Sequence, residues 1–559
     1  MRCVRPGSQT ATGVSPPAPE VSHATWQTRG MDLAATGRRW AIATPHTAAT
    51  EAGAAAFERG GNALDAALAA ATTLAVVYPH NCGVGGDLFA VVQRAAEEGG
   101  QILAVNSSGR APRGADPDAL RAEHGNVMPL RGPAPVTVPG AVAGWEALHD
   151  LGASLPWEDH LTAAVWAAHD GFTLPDSIHE WHGLPATKVA FGADPGMARI
   201  FYPDGVALGP GATIRQAALG RTLEAIAAGG AQALYRGAIG AAYVSGLRAL
   251  GSPITTDDLA PHAASVLAPL IGSWRDLHVR VAPPNSQGYS LLQILSAAER
   301  LGLDPDPCGP DAGIWARVFL AAERDVRRHL ADPDRMSVHP STLLSDGHLA
   351  AFCDEVRADL TSEPGVSKPG GDTIALVTAD AGGRAVSLIQ SLFHSYGAGI
   401  LEPTTGIIAS DRGACFTLEP DRPSTFTPGA LPPHTLLPAL VHDDRGVAAV
   451  MGTMGGYQQP QIDAQTISGV FALGRSPAEA VAAPRFIVDD LPEAGALPEV
   501  VAEAGVPEDA SAMIEATGLA IRRTHDLDDW VGHAQAIRVT SDGFEAGSDP
   551  RAHGGALAG

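Results

Sequence analysis

The sequence predicts an α/β sandwich, and three stretches of its 559 residues carry that reading. Near the N-terminus, TAATEAGAAAFERGG (47–61) is Ala-rich and ends on two glycines, and residues 63–77 follow as a second helical run. Residues 373–378 and 384–390 read as short apolar strands joined by the turn Asp380-Ala381-Gly382-Gly383. Residues 447–451 read as another strand, which passes through Gly452-Thr453-Met454-Gly455-Gly456 into a helix near 462–473. Helices and strands in both halves, with no internal repeat, are the pattern of a layered α/β protein.

Taken in order, residues 1–40 are polar and rich in Pro, Ser and Thr, and are expected to form a flexible arm. The arm lacks the apolar core of a signal peptide, and no stretch of the chain reaches the ~18–20 apolar residues of a membrane span. A cytoplasmic location is the expectation. Gly60-Gly61 supply the left-handed stop of the first helix, and Asn62 can cap the second, which is apolar nearly all round and so internal. The turn Asn81-Cys82-Gly83-Val84-Gly85-Gly86-Asp87 then enters a strand at 88–92. It carries Leu88 where a dinucleotide fingerprint needs its last Gly, and it runs from helix to strand, the reverse of the nucleotide-binding order. The middle of the chain reads as helices at 141–151, 161–169, 214–235 and 315–330. Residues 283–288 (PPNSQG) form a stiff polar loop before another helix. TSEPGVSKPGGD, residues 361–372, has no periodicity and many breakers, and is expected to be exposed and open to cleavage.

Sixty-one acidic against 37 basic residues give a formal charge of −24, a field that repels phosphate backbones and anionic lipid. Nucleic-acid and membrane partners are therefore not expected. Five scattered cysteines without a CxxC pair argue against a disulfide framework or a structural zinc. His179-Glu180-Trp181-His182 has the spacing HExH, which puts the two imidazoles on different helical faces, so a surface loop without metal is the reading. There is no G-x-S-x-G elbow and no P-loop, and no cofactor is expected. One position stands out chemically. Thr373 opens a strand behind the breaker-rich linker, and cutting the peptide bond between Asp372 and Thr373 would put a hydroxyl and a free α-amine on one residue. Such an amine, with a pKa of about 7.7–8.0, can serve as general base for its own hydroxyl.

Eight ordered motifs extend that reading: NALDAALAAATTLAVVYPHNCGVGGDLFAVV, SGRAPRGA, PVTVPGAVAGWEALH, PPNSQG, GDTIALVTAD, YGAGI, MGTMGGYQQPQ and AAPRF. Together they resemble the γ-glutamyltransferase (γ-glutamyl transpeptidase) family of N-terminal nucleophile hydrolases, from about residue 40 to residue 490. The resemblance implies a four-layer αββα sandwich and a proenzyme cut before Thr373 into a large chain, 41–372 behind the arm, and a small chain, 373–559. The two cleaved chains would stay associated, and a homodimer of the processed unit is compatible with the family. Thr373 would be the nucleophile, Gly455 and Gly456 would offer the backbone N–H groups of an oxyanion hole, and Ser391 would support the nucleophile.

The departures from the family concern its amino-acid clamp. Ser108 stands where members have an Arg, with Arg110 two residues on. Phe393 replaces an Asn, Arg412 and Cys415 replace a Gln and an Asp, and His434-Thr435 replace two serines. A pocket that loses an Asp and gains Arg412, His394 and His434 favours an acid without an α-amine. Arg110, His394, Tyr396, Arg412, His434 and Thr435 are the expected substrate-binding residues. The pattern is similar to a divergent branch that includes oxamate amidohydrolase-like enzymes, and it implies hydrolysis of an amide or oxalyl-type bond in a small carboxylate. The rival readings are a true γ-glutamyltransferase or glutathione hydrolase, a C–C bond hydrolase of secondary-metabolite biosynthesis, and a catalytically silent relative.

Overall fold

The computed structural model describes residues 31–175, 178–179, 182, 185–209, 211–358, 372–489 and 498–559. Two seven-stranded antiparallel sheets form its centre. In spatial order, one contains Ala34–Gly37, Gly543–Ser548, His533–Thr540, Gly446–Met454, Ala439–Asp443, Leu277–Val281 and Leu270–Trp274. The other contains Gly555–Ala558, Trp40–Thr44, Asp372–Asp380, Ala385–Phe393, Asp87–Gln93, Ile102–Ser107 and Ser265–Leu267.

Strand alternation builds the layers. Along Asp372–Asp380, the side chains of Ala375, Val377 and Ala379 enter the cluster between the sheets, where they meet Ile389, Leu440, Val450 and Ile537. Ile374 and Leu376 point the other way, into the helices Thr47–Glu58 and Ala63–Val77. The first sheet is covered by Gly288–Leu301, Ala312–His329 and Gln459–Phe471, which close a separate core. Each sheet is therefore buried on both faces, and the order is αββα. The sheets approach closely at Gly452, where an added Cβ would lie 3.3 Å from the Cβ of Ala375.

The helix signals read from the sequence coincide with the structure. Gly60 takes φ 89° behind the first helix, and Asn62 and Asp65 form a reciprocal capping box on the second. All fifteen residues of Ala63–Val77 are buried, as an apolar circumference requires. Residues 214–235 divide into Ala217–Gly229 and Gln232–Tyr235, because Gly230 at φ 64° ends the first helix.

The arm read over 1–40 ends sooner. Residues 34–37 pair in register with the C-terminal hairpin, Ala34 opposite Gly547 and Gly37 opposite Phe544, so backbone pairing orders a stretch with little apolar content. The middle of the chain also contains two strands that read as loop, Leu270–Trp274 and Leu277–Val281, at the edge of the first sheet. Residues 361–371, the expected cleavable linker, lie outside the described residues. Among the described residues, no helix is long and apolar enough to cross a membrane.

Candidate active site

The strand pair Asp372–Asp380 and Ala385–Phe393 positions Thr373. Asp372 stands opposite Phe393 and Ile374 opposite Gln390, so the register shifts between them and Thr373 faces two residues, Ser391 and Leu392. This bulge turns the buried Thr373 hydroxyl toward Ser391. Thr373 Oγ1 donates to Ser391 Oγ at 3.3 Å. Ser391 Oγ in turn donates to the carbonyl oxygen of Asp372 at 2.6 Å and accepts the Phe393 N–H at 2.7 Å. One hydroxyl thus uses its single proton and both lone pairs, and its proton lies on the carbonyl of the Asp372–Thr373 bond.

The glycine-rich turn 81–87 has its purpose here. Asn81 Nδ2 donates to the carbonyl of Thr373 at 3.2 Å, and Asn81 O accepts the Leu392 N–H at 2.9 Å. A Cβ on Gly86 would lie 2.3 Å from the carbonyl oxygen of Ser391, so only glycine lets the turn reach this strand.

Gly455 and Gly456, at φ 149° and 55°, join the strand Gly446–Met454 to the short turn that leads into Gln459–Phe471. Among the described residues neither N–H has a backbone acceptor. Gln287, from the stiff PPNSQG loop, fixes the turn by donating to Gly456 O at 2.9 Å and to Thr435 O at 2.8 Å. The next residue, Tyr457, packs against Phe393 and Cys415. Because Phe393 pairs with Asp372, this contact brings the Gly-Gly turn to the Thr373 end of the strand pair.

Behind Ser391 lies a buried polar group that only partly follows the sequence expectation. Asp87, the strand partner of Ser391, accepts the Gly109 N–H at 2.8 Å, contacts His434 Nε2 at 3.1 Å and lies 3.7 Å from Arg412 Nε. Burial pushes the Asp87 carboxyl up to about 7 against the pull of Arg412. Burial, and then the charge of Arg412, hold His434 well below the usual imidazole range. The Arg412 guanidinium lies 4.2 Å over the ring of Phe393 and donates through Nη1 to Thr435 Oγ1 at 3.0 Å. Its Nε and Nη2 have no hydrogen-bond partner among the described residues.

His394 binds Asp411 twice, backbone N to Oδ1 at 3.1 Å and Nδ1 to Oδ2 at 2.6 Å. The Asp372 side chain accepts from Ser395 Oγ. Burial raises this carboxyl, and Ser395, His394 and Arg131 pull against that rise. Arg131 donates to the carbonyls of Ser395 and Gly397.

Thr373, Ser391, Asp372, His394, Arg412, His434 and Thr435 therefore belong to one connected region. Arg110 and Tyr396 are placed differently. Arg110 is half-exposed, bonds Asp332 at 3.4 Å and Gly429 O at 3.0 Å, and lines a cleft of about 220 Å³ with Ser108, His262 and Leu431. Tyr396 is fully buried among Phe191, Phe201 and His182, with its hydroxyl 2.7 Å from His182 Nε2. The same bond corrects the surface-loop reading of residues 179–182: His182 is buried in this aromatic group. Glu180 and Trp181 lie outside the described residues. Asp87 and Arg131 were not singled out in the sequence. An acid opening an otherwise apolar strand was the available signal for Asp87.

A family model described as Gamma-glutamyltranspeptidase matches residues 49–559. The chain is 33% identical over 523 residues to the oxamate amidohydrolase proenzyme of Klebsiella pneumoniae, across 92% of this chain and 97% of that protein. It is 31% identical over 540 residues to the glutathione hydrolase-like YwrD proenzyme of Bacillus subtilis, across 94% and 100% of the two. Among solved structures, the cephalosporin acylase of Bacillus halodurans superposes with a TM-score of 0.85 at 27% identity, covering 100% of this chain and 99% of that one.

Proposed function

Because the chain belongs to the gamma-glutamyltranspeptidase family and shares the four-layer fold of N-terminal nucleophile hydrolases, we propose that it is a self-processing amide hydrolase with Thr373 as nucleophile. The observation that carries this reading is the Ser391 hydroxyl, bonded at once to Thr373 Oγ1 and to the carbonyl oxygen of Asp372. In the uncut chain, Thr373 Oγ attacks the Asp372 carbonyl carbon while Ser391 holds the oxygen that gains charge. Breaking the C–N bond transfers the acyl group from nitrogen to oxygen, and water then hydrolyses that ester. Asp372 is left with a carboxylate and Thr373 with a free amine.

The freed amine serves as base in turnover. It takes the Oγ proton as Oγ attacks the substrate carbonyl, and the N–H groups of Gly455 and Gly456 stabilise the oxyanion. The leaving amine departs with the proton, and water cleaves the Thr ester. No metal enters these steps, since base, nucleophile and oxyanion donors all come from the chain.

The proposed substrate class rests on the residues that surround the site. The family's clamp for an amino acid is replaced by Phe393, Arg412, Cys415, His434 and Thr435, and the region carries the cations Arg131 and Arg412. This composition supports a small carboxylate amide without an α-amine, and the named activity of the Klebsiella relative is of that kind. The test couples denaturing electrophoresis with N-terminal sequencing and a panel of oxamate, acyl-amino-acid and γ-glutamyl-anilide substrates. A small fragment beginning Thr-Ile-Ala and preference for the first two classes are expected, with Thr373→Ala remaining one intact chain. A persistent single band in the unaltered protein would refute self-processing. Wide preference for the γ-glutamyl compound, or strong stimulation by a dipeptide acceptor, would return the protein to glutathione hydrolase or transferase chemistry.

A further inference from the structure

The outer helix layer holds a second cluster of chemically capable side chains, which shares no residue with the Thr373 site. Helix Ala312–His329 carries Asp325 and His329 one turn apart, hence on the same face. Helix Asp346–Arg357 brings His348 to them from its first turn, where Ser345 caps the backbone by accepting the His348 N–H. His348 Nε2 lies 2.9 Å and His329 Nε2 3.7 Å from the same oxygen, Asp325 Oδ1, and the three ligand atoms all fall within 4.8 Å of one another. We propose that Asp325, His329 and His348 bind a divalent transition-metal ion of the Zn2+ type.

The distances suit such an ion. Ligands at about 2.1 Å in a tetrahedron stand roughly 3.4 Å apart, so these three atoms need shifts of only about 1 Å to converge on one centre. Two imidazoles and one carboxylate are a donor set for Zn2+ and its neighbours rather than for Ca2+ or Mg2+, which prefer oxygen alone. The carboxylate is already oriented, because Gln293 Nε2 donates to its other oxygen, Oδ2, at 2.9 Å, the supporting arrangement that metal-ligating groups require. Nearby cations have anionic partners of their own: Arg328 pairs with Glu355 through two bonds of 2.7 and 2.9 Å, Arg327 with Glu323, and Arg300 with Asp346. Asp325 is 6% exposed, whereas His329 and His348 keep 22% and 20% exposure, which leaves one open side for entry and for a water as fourth ligand.

The consequence is mechanical. The metal joins Asp346–Arg357, the last described helix before Asp372, to the helix Ala312–His329 beneath it. The test uses the whole protein, free of any histidine tag, stripped with chelator and dialysed. Zn2+ is titrated by calorimetry and by thermal shift, with Co2+ absorption as a report on coordination. One equivalent of Zn2+ per chain, a Tm that rises with its concentration, and a weakening of at least about tenfold in His348→Ala and in His329→Gln are expected. No binding, or binding of equal strength in both variants, overturns the site. If His348→Ala does not fold, His329→Gln and Asp325→Asn decide by the same comparison. Processing and substrate turnover do not enter this readout, so the metal site stands or falls independently of the proposed hydrolase.

Discussion

Ser391→Ala is the most informative single change. The Ser391 hydroxyl donates at 2.6 Å to the carbonyl of Asp372, the proposed scissile bond, and it is also the acceptor for Thr373 Oγ1 and for the Phe393 N–H. Removing it takes away one oxyanion donor, a loss of about 10²–10³ in rate, or about 2.7–4 kcal/mol of barrier. It also leaves the buried Phe393 N–H without its partner, a stability cost of about 1–3 kcal/mol. The two effects separate by assay. Conversion of freshly synthesised chain into two fragments, followed by electrophoresis over time, reads the first, and urea unfolding of the uncut Thr373→Ala chain with and without Ser391→Ala reads the second. Ser391→Thr keeps the hydroxyl and restores most of the cleavage rate. Maturation of Ser391→Ala at the rate of the unaltered protein would refute the role assigned to this hydroxyl, and with it the oxyanion geometry of the cleavage step.

Three further outcomes are expected. Gly86→Ala drives a Cβ to 2.3 Å from the Ser391 carbonyl oxygen, a backbone atom that cannot swing aside, so both Tm and fragment formation fall. Arg412→Met leaves buried Asp87 without its cation. Loss of one partner of a buried pair costs about 3–5 kcal/mol, and because Asp87 titrates near 7 the loss in urea midpoint is greater at pH 8 than at pH 6, where the carboxyl takes up a proton. Acid lability follows from the buried histidines. Burial lowers His46 to about 3 and His182, His442 and His533 to about 4, each below its unfolded value of 6.5. The unfolded chain then takes protons that the native one refuses, so the stability they contribute is present above about pH 6.5 and is lost toward pH 4. Asp87 works in the opposite direction, its contribution being present below its unfolded value of 3.8 and lost as pH rises through about 7. Buried His80, His262 and His434 act with the four histidines, and the raised carboxyls of Asp372, Asp463 and Asp529 act with Asp87, so the histidines outnumber the carboxyls and the urea midpoint falls between pH 6.5 and pH 4; a midpoint that stays level over that range would contradict the account.

What the sequence made legible was local chemistry. Asn62 ahead of an apolar run, Gly60 behind one, and the Asp380–Gly383 turn between two apolar stretches each act over a few residues, and each sits where it was read. Leu270–Trp274 escaped notice because a short edge strand with alternate residues exposed has too little periodicity to stand out. Residues 34–37 escaped because their order comes from a partner more than five hundred residues away. The site divides in the same manner. The proposed nucleophile Thr373 and the Gly-Gly pair were readable through ordered motifs, and Ser391 through its match to a family threonine, but the reason for the glycines at 85 and 86 was not, since it depends on Ile408 O and Ser391 O arriving from elsewhere in the chain. The burial of Arg412 and Tyr396 is a tertiary fact too: nothing in FHSYG or DRGAC distinguishes a side chain that lines a cleft from one enclosed in its wall.

The interleaving of the two sheets bears on what the proposed cleavage before Thr373 would do to the fold. Strand Asp372–Asp380, which beyond Asp372 forms the head of the proposed small chain, pairs on one side with Trp40–Thr44 of the large chain. Its hairpin partner Ala385–Phe393 pairs with Asp87–Gln93, again from the large chain. In the other sheet, Leu277–Val281 pairs with Ala439–Asp443, and Ala34–Gly37 with Gly543–Ser548. Side chains cross the same divide: Asn285 Nδ2 donates to Pro432 O, Gln287 Nε2 to Thr435 O and Gly456 O, and Asn81 Nδ2 to Thr373 O. Separating the chains would expose strand edges in both sheets together with the core between them, so dissociation amounts to unfolding. A single cut can therefore free the Thr373 amine while leaving the hydroxyl of Ser391 and the Gly455–Gly456 turn held by the same contacts that positioned them in the uncut chain.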